Sequence, residues 1–241
     1  MSEPEIIPLR VAELELPEAH PEGPGLCEVF AFLIRDGEVS FLIDTGVGEG
    51  STLIDRLYRP RRTNLLAALS QLGLAPRSLS AIVNSHLHFD HCGNNRLFPG
   101  IPIFVQQAEY EAASAAHYTV PGWVYFEAAE YSKVRGRHRL SPHVELVPTP
   151  GHTPGHQSVL VETPKGSELV VAQAAYTGSE FASVGMGGPV GRPSRGAGAG
   201  RLRTADAWSS EAYLESLGQL HALQPVRAFF SHDSASWSPA A

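Results

Sequence analysis

The stretch Ser85-His86-Leu87-His88-Phe89-Asp90-His91 places three histidines and one carboxylate within positions 86–91. It begins just beyond Leu79-Ser80-Ala81-Ile82-Val83, an apolar run that reads as a buried strand. Imidazole nitrogens and carboxylate oxygens are ligands of first-row divalent metals. Alternate residues of an extended segment project to the same side, so His86 and His88 can share one ion. Asp90 and His91 are adjacent and diverge, which suits a second ion beside the first.

Two further histidines stand at comparable places. In Pro148-Thr149-Pro150-Gly151-His152-Thr153-Pro154-Gly155-His156, two Pro-Gly turns stiffen and bend the backbone at the end of a strand. His152 is assigned as the third ligand of the first ion, and His156 as a supporting or structural residue. In Phe229-Phe230-Ser231-His232-Asp233 a histidine again follows an apolar strand directly, and His232 becomes the partner of Asp90 and His91. His20, His117, His138, His143 and His221 have no such setting and are expected at the surface.

The remaining pattern is mixed. Strands are expected over residues 6–16, 29–34, 39–44, 79–83, 101–105, 143–148, 157–162, 168–172 and 226–230, with Asp36-Gly37 supplying a hairpin turn. Helices are expected over about 61–73, 106–116 and 207–222. Strands dominate early and helices occur in both halves, which is an α/β or α+β pattern. No repeat or linker divides residues 1–241, so the chain reads as a single domain. Residues 185–200 hold seven glycines and two prolines, a flexible surface loop or a mobile lid.

Composition narrows the class. Eighteen Lys+Arg against 25 Asp+Glu leave a net charge of −7, without the basic field that nucleic acids or anionic membranes attract. No stretch reaches the ~18 apolar residues of a membrane span. The acidic start Met1-Ser2-Glu3-Pro4-Glu5 is unlike a secretory signal, and Cys27 and Cys92 are too few for a disulfide framework. A reduced, cytoplasmic protein is therefore expected, its partner a small molecule rather than nucleic acid or membrane. Oligomeric state is left open, a dimer included.

Together these motifs resemble the metallo-β-lactamase superfamily, whose hallmark is His-x-His-x-Asp-His. Within it the wording is similar to the N-acyl-homoserine lactonase branch. The matching stretches are His-Leu-His-Phe-Asp-His at 86–91, Thr-Pro-Gly-His-Thr-Pro-Gly-His-Gln at 149–157, Ala-Tyr-Thr at 175–177 and Ser-His-Asp at 231–233. The resemblance implies an αββα sandwich with a dinuclear site at one edge of the sheets. His86, His88 and His152 would hold the first metal, and Asp90, His91 and His232 the second. Asp44, in Ile43-Asp44-Thr45-Gly46, matches a carboxylate that orients ligand imidazoles. Two Zn2+ ions are implied, with a single ion as the alternative and with Co2+, Mn2+ or Fe2+ as other metals for such ligands.

The implied reaction is the opening of a lactone ring, an N-acyl-homoserine lactone in the first instance, by attack of a metal hydroxide on the ester carbonyl. Tyr176 matches a tyrosine that hydrogen-bonds the substrate carbonyl, and Asp90 would pass a proton to the leaving alkoxide. Phe89 either lines the acyl pocket or packs, and Cys92 reads as a small buried side chain. One position departs from the family pattern. In Val171-Ala172-Gln173-Ala174, Gln173 stands where the family keeps an aspartate bridging the metals, and a neutral amide is a poor bridge between two cations. Two other readings compete with the lactonase: another hydrolase of this fold, such as a glyoxalase II-like thioesterase, and a non-catalytic binding protein with a degraded site.

Overall fold

The computed structural model describes residues 3–20, 23–115, 117–185 and 210–239. Among these, a long hairpin starts the chain: β1 (Glu5–Leu16) pairs antiparallel with β2 (Gly25–Asp36). β2 then turns into β3 (Val39–Ile43), with Asp36 opposite Val39 and Gly37 at a φ of 62°. That positive φ is the conformation a two-residue hairpin loop demands, and glycine adopts it without steric cost.

The first sheet runs β4-β1-β2-β3-β5-β6-β7, where β4 is Arg61–Arg62, β5 Ala81–Val83, β6 Ile103–Gln106 and β7 Tyr131–Val134. The second runs β13-β12-β11-β10-β9-β8, from β8 (His138–Arg139), β9 (Val144–Pro148), β10 (Gln157–Thr163) and β11 (Gly166–Ala172) to β12 (Arg227–Phe230) and β13 (Asp233–Trp237). Alternation along each strand decides what lies between the sheets. From β2, Phe30, Phe32 and Ile34 face Val144, Leu146, Val159, Val161 and Val170 of the second sheet. Val29, Ala31 and Leu33, on the opposite face of the same strand, are buried under helices.

Those helices complete four layers. Ile54 and Tyr58 of α1 (Thr52–Tyr58) and Leu65 and Leu69 of α2 (Leu65–Gln71) cover the first sheet. Phe181 of α6 (Gly178–Gly185) and Tyr213, Leu217 and Leu220 of α7 (Ser210–Ala222) cover the second. Three short helices, α3 (Phe89–Cys92), α4 (Gln107–Ala112) and α5 (Pro121–Val124), lie in the connections. The α/β sandwich expected from the sequence is thus present, with two helical boundaries corrected. The helix expected over 61–73 begins only after Asn64, whose Oδ1 accepts from the Ala67 N–H at 3.0 Å, because Arg61–Arg62 pair with β1 instead. The helix expected near 106–116 is confined to Gln107–Ala112. The glycine-rich segment 185–200 lies outside the described residues except for Gly185, the end of α6.

β3 and β5 run parallel, as do β11 and β12. Their C-terminal ends and the β9–β10 turn meet at one edge of the sandwich. The Gln157 N–H bonds the Ser85 carbonyl across the two sheets at 2.9 Å, and the Phe30 N–H bonds that of Ser231 at 2.9 Å. The histidine-bearing stretches after β5, between β9 and β10 and after β12 emerge at this edge.

Candidate metal centre

His86 leaves the end of β5, and His88 caps α3 with extended backbone, φ −67° and ψ 159°. His152 sits in the turn between β9 and β10. The three rings converge: His86 Nε2 lies 3.1 Å from His88 Nδ1, and His152 Nε2 lies 3.2 Å from the same atom. Ligand nitrogens of a tetrahedral centre with ~2.0–2.1 Å bonds stand about 3.3 Å apart, so the spacing is that of a metal station. The hydrogen bonding behind His86 fixes its tautomer. Ser85 donates its hydroxyl to Asp44 Oδ2 at 2.7 Å, which leaves Ser85 Oγ to accept from His86 Nδ1 at 3.1 Å. His86 Nε2 then carries a bare lone pair.

A second group, Asp90, His91 and His232, lies beside the first, with the rings of His86 and His91 4.0 Å apart between centroids. In each group the donor atoms lie within 4.8 Å of one another. Asp44 accepts from His91 Nδ1 at 2.8 Å and from the Ser85 N–H at 2.7 Å, and His232 Nδ1 donates to the Glu28 carbonyl at 2.8 Å. Both imidazoles are thereby held with Nε2 turned towards Asp90 Oδ2, at 3.5 Å for His91 and 3.6 Å for His232. Asp44 achieves this from a left-handed backbone, φ 60°, which aspartate tolerates better than most residues.

The electrostatics differ between the groups. Burial and the neighbouring imidazoles hold His86 and His152 well below the ordinary histidine pKa, and burial takes His88 to about 4 against the pull of Asp90. All three are neutral at pH 7, the form in which imidazole binds metal. For His91, burial opposes the charge, but the carboxylates of Asp90 and Asp44 overcome it and raise the pKa to about 10. Burial also works against the charge of Asp90, yet His91 and His232 hold its carboxyl well below the usual range. The second group therefore sits in a field that favours a cation.

One atom tests whether a metal fits. His91 Nε2 is buried and makes no hydrogen bond, an arrangement native proteins avoid unless something else occupies the position. A divalent ion held by Asp90, His91 and His232 would supply the missing partner.

The other candidates sort by what they touch. His156 has both nitrogens engaged, Nδ1 with Thr149 Oγ1 at 2.8 Å and Nε2 accepting from the Gln173 N–H at 3.2 Å. Burial pushes its pKa down to about 3. It supports the cluster without offering a lone pair. Gln173 is buried just beyond β11, and its Oε1 has no hydrogen-bond partner. The Tyr176 ring stacks on His232 at 5.7 Å and meets His152 edge-on at 6.0 Å, so it stands astride both groups. Phe89 packs its ring 4.6 Å from that of Tyr58. Cys92 is wholly buried, its sulfur turned to the Leu87 and His88 carbonyls rather than to the donors.

The surface assignment of the remaining histidines holds for His117 and His143 and needs correction for three. His20 is half-buried edge-on to Tyr58, His138 packs on Phe104, and His221 stacks on Phe181 at 4.1 Å. Ser85 and Glu109 were not singled out by the sequence reading. Ser85 adjoins the histidine cluster, which is a signal of a kind; Glu109, in an alanine- and glutamate-rich helix, carries none.

The pattern that defines the Metallo-beta-lactamase superfamily matches residues 24–232. The chain belongs to this superfamily. Among its members, an N-acyl homoserine lactonase from a Bacillus species is 37% identical over 166 residues, covering 64% of this chain and 66% of its own length. The chain thus spans slightly under two thirds of that relative. The N-acyl homoserine lactonase AttM of Agrobacterium fabrum is 34% identical over 125 residues, 45% of this chain and 46% of its own. A solved N-acyl homoserine lactone hydrolase, with the product N-hexanoyl-L-homoserine bound at its catalytic metal centre, has a TM-score of 0.73 at 28% identity. It covers 96% of this chain and 93% of its own. The two sheets with flanking helices are accordingly the metallo-β-lactamase fold.

Proposed function

We propose that this superfamily member is a dinuclear metal-dependent hydrolase that opens a lactone ring, with N-acyl-homoserine lactones as its substrate class. The observation that carries the reading is the pair of adjoining three-donor groups with Tyr176 astride them. The names of the relatives support the choice of substrate. His86, His88 and His152 would hold one ion, and Asp90, His91 and His232 the other. Zn2+ suits this nitrogen-rich set, and Co2+, Mn2+ and Fe2+ suit it as alternatives. When bound, such ions polarise an ester carbonyl and make water reactive near neutral pH.

The chain's own residues do the rest. Tyr176 donates its hydroxyl to the substrate carbonyl oxygen as negative charge develops there. Asp90, ionised and fixed between His91 and His232, would take a proton from the attacking water and pass it to the departing ring alkoxide. Phe89, next in the chain to Asp90, packs its ring against Tyr58 in the core under the first sheet. His156 and Asp44 hold ligands in place.

Ring opening adds water across the ester C–O bond and yields a carboxylic acid, which ionises above pH ~4 and releases a proton. A pH-indicator assay therefore reads turnover directly. It should be run on lactones, thioesters and phosphodiesters, with and without added Zn2+, Co2+ or Mn2+. Metal-dependent lactone opening is expected. Preference for thioesters would replace the lactonase reading with a thioesterase, and inactivity on every substrate with every metal would favour a binding protein.

A further inference from the structure

Glu109 lies in α4, away from the six donors, and is wholly buried. A buried carboxylate without partners is costly, and this one has four. Oε1 accepts from the Leu87 N–H at 2.8 Å and from the Tyr118 hydroxyl. Oε2 accepts from the Thr153 hydroxyl at 2.6 Å and the Gly155 N–H at 3.2 Å. Four donors match the capacity of an ionised carboxylate, so nothing is left for water or substrate.

The identity of the donors gives the arrangement its meaning. Leu87 is the residue between His86 and His88. Thr153 follows His152. Tyr118, held at its hydroxyl, lays its ring 5.0 Å from that of His88. Each imidazole of the trihistidine group thus has a covalent or packing neighbour fastened to one carboxylate. Among the described residues, none of its four hydrogen bonds goes to Asp90, His91 or His232; His91 is held by Asp44 and His232 by the Glu28 carbonyl. Gly155 explains how Glu109 reaches the turn: a Cβ there would fall 2.1 Å from the Glu109 backbone nitrogen, so only glycine lets the 149–156 segment press against α4.

We propose that Glu109 is a positioning residue for the trihistidine group, setting the spacing between the 86–88 segment and His152 so that three imidazoles present one metal station. The inference rests on the metal reading above and deepens it. It differs from a general structural role in being selective: loss of Glu109 weakens the His86/His88/His152 station and spares the other.

The test is Glu109→Gln in the full chain, titrated with Co2+, whose visible absorption reports coordination geometry without turnover. The amide NH2 of glutamine cannot accept from a backbone N–H, so at least one segment is released. His152→Ala and His232→Ala assign each binding step to its station. Loss of an outer partner typically weakens metal binding about 10–100-fold. We expect a loss of about 10-fold or more at the trihistidine step, with a changed absorption band, and little change at the other step. Equal weakening of both steps, or of neither, overturns the proposal. Should Glu109→Gln fail to fold, Tyr118→Phe keeps the ring on His88 and removes one donor, and a selective loss of about 3-fold is expected. No loss there overturns the proposal as well. Absence of Co2+ binding by the unaltered protein would defeat the metal reading itself, whereas normal binding with an unaffected variant would defeat only the role of Glu109.

Discussion

Gln173 is the residue at which chemistry and family pattern part. Among the six converging donors Asp90 is the one carboxylate, so two dications about 3.5–4 Å apart would repel with little anionic compensation. The amide oxygen of Gln173, buried and without a partner, offers a dipole where a formal charge is wanted. Extensively dialysed protein is expected to retain between one and two ions per chain by elemental analysis, and Gln173→Asp to raise the count towards two. An unchanged count in the variant would remove Gln173 from the account. Tyr176 gives a second prediction at this scale. Tyr176→Phe keeps the ring against His232 and removes the donor, so kcat should fall by ~10-fold or more while metal content stays the same. An unaffected kcat would make the tyrosine a packing residue. Both positions were legible only through the resemblance to the family, and neither the orphaned oxygen nor the stacking was, since the stacking joins Tyr176 to His232, far along the chain.

At the scale of elements, α3 is the unit that most needs its surroundings. Four residues cannot form a stable helix alone, because nucleation costs more than one turn returns. The loop after β3 supplies the support. The His91 carbonyl accepts from the Thr45 N–H at 2.7 Å, and the Gly93 N–H bonds the Gly46 carbonyl at 2.8 Å. Two glycines permit the crossing: a Cβ on Gly93 would lie 2.0 Å from the Gly48 nitrogen, and one on Gly48 would lie 2.2 Å from the Gly93 oxygen. Gly93→Ala should therefore push α3 away from the loop that carries Asp44. Overpacking of this kind costs about 1–3 kcal/mol, or about 2–12 °C in Tm for a chain of this size. Calorimetry of the variant should show that loss together with weaker metal retention at the Asp90/His91/His232 group. A variant with unchanged Tm would show that the crossing relaxes freely. The sequence displayed the histidines of this helix but not its dependence on Gly48 and Gly93, since close backbone approach leaves no periodic trace.

For the whole molecule, the donors draw on both sheets. His86 follows β5 in the first sheet; His152 and His232 leave the second. Ions shared among them would cross-link the two layers, and a ligand bound only by the folded state stabilises it by about 2.7 kcal/mol at 100 times its Kd. Chelation should lower Tm by roughly 5–10 °C, and added Zn2+ should restore it. A Tm indifferent to chelator would show that apolar packing alone sets the spacing of the sheets. That packing is substantial: Phe32, Ile34, Val159, Val161 and Val170 are all essentially inaccessible between the layers.

The sequence by itself determined what is local. Compact apolar runs specified the strands, and three imidazoles and a carboxylate within six residues announced metal chemistry, because donors so close in the chain cannot lie far apart in space. The histidines at 152 and 232 could be nominated because each sits just past a strand end, as the cluster does. Tertiary structure alone decided that the strand ends meet at one edge and which partners, Thr149 and the Gln173 N–H, engage both nitrogens of His156. It alone brought Glu109, on a helix with no metal-ligand spacing, into the space between two ligand segments. Those outcomes depend on how two sheets pack across a shared apolar layer, and the energy of that packing is spread over dozens of side chains rather than written at any one of them.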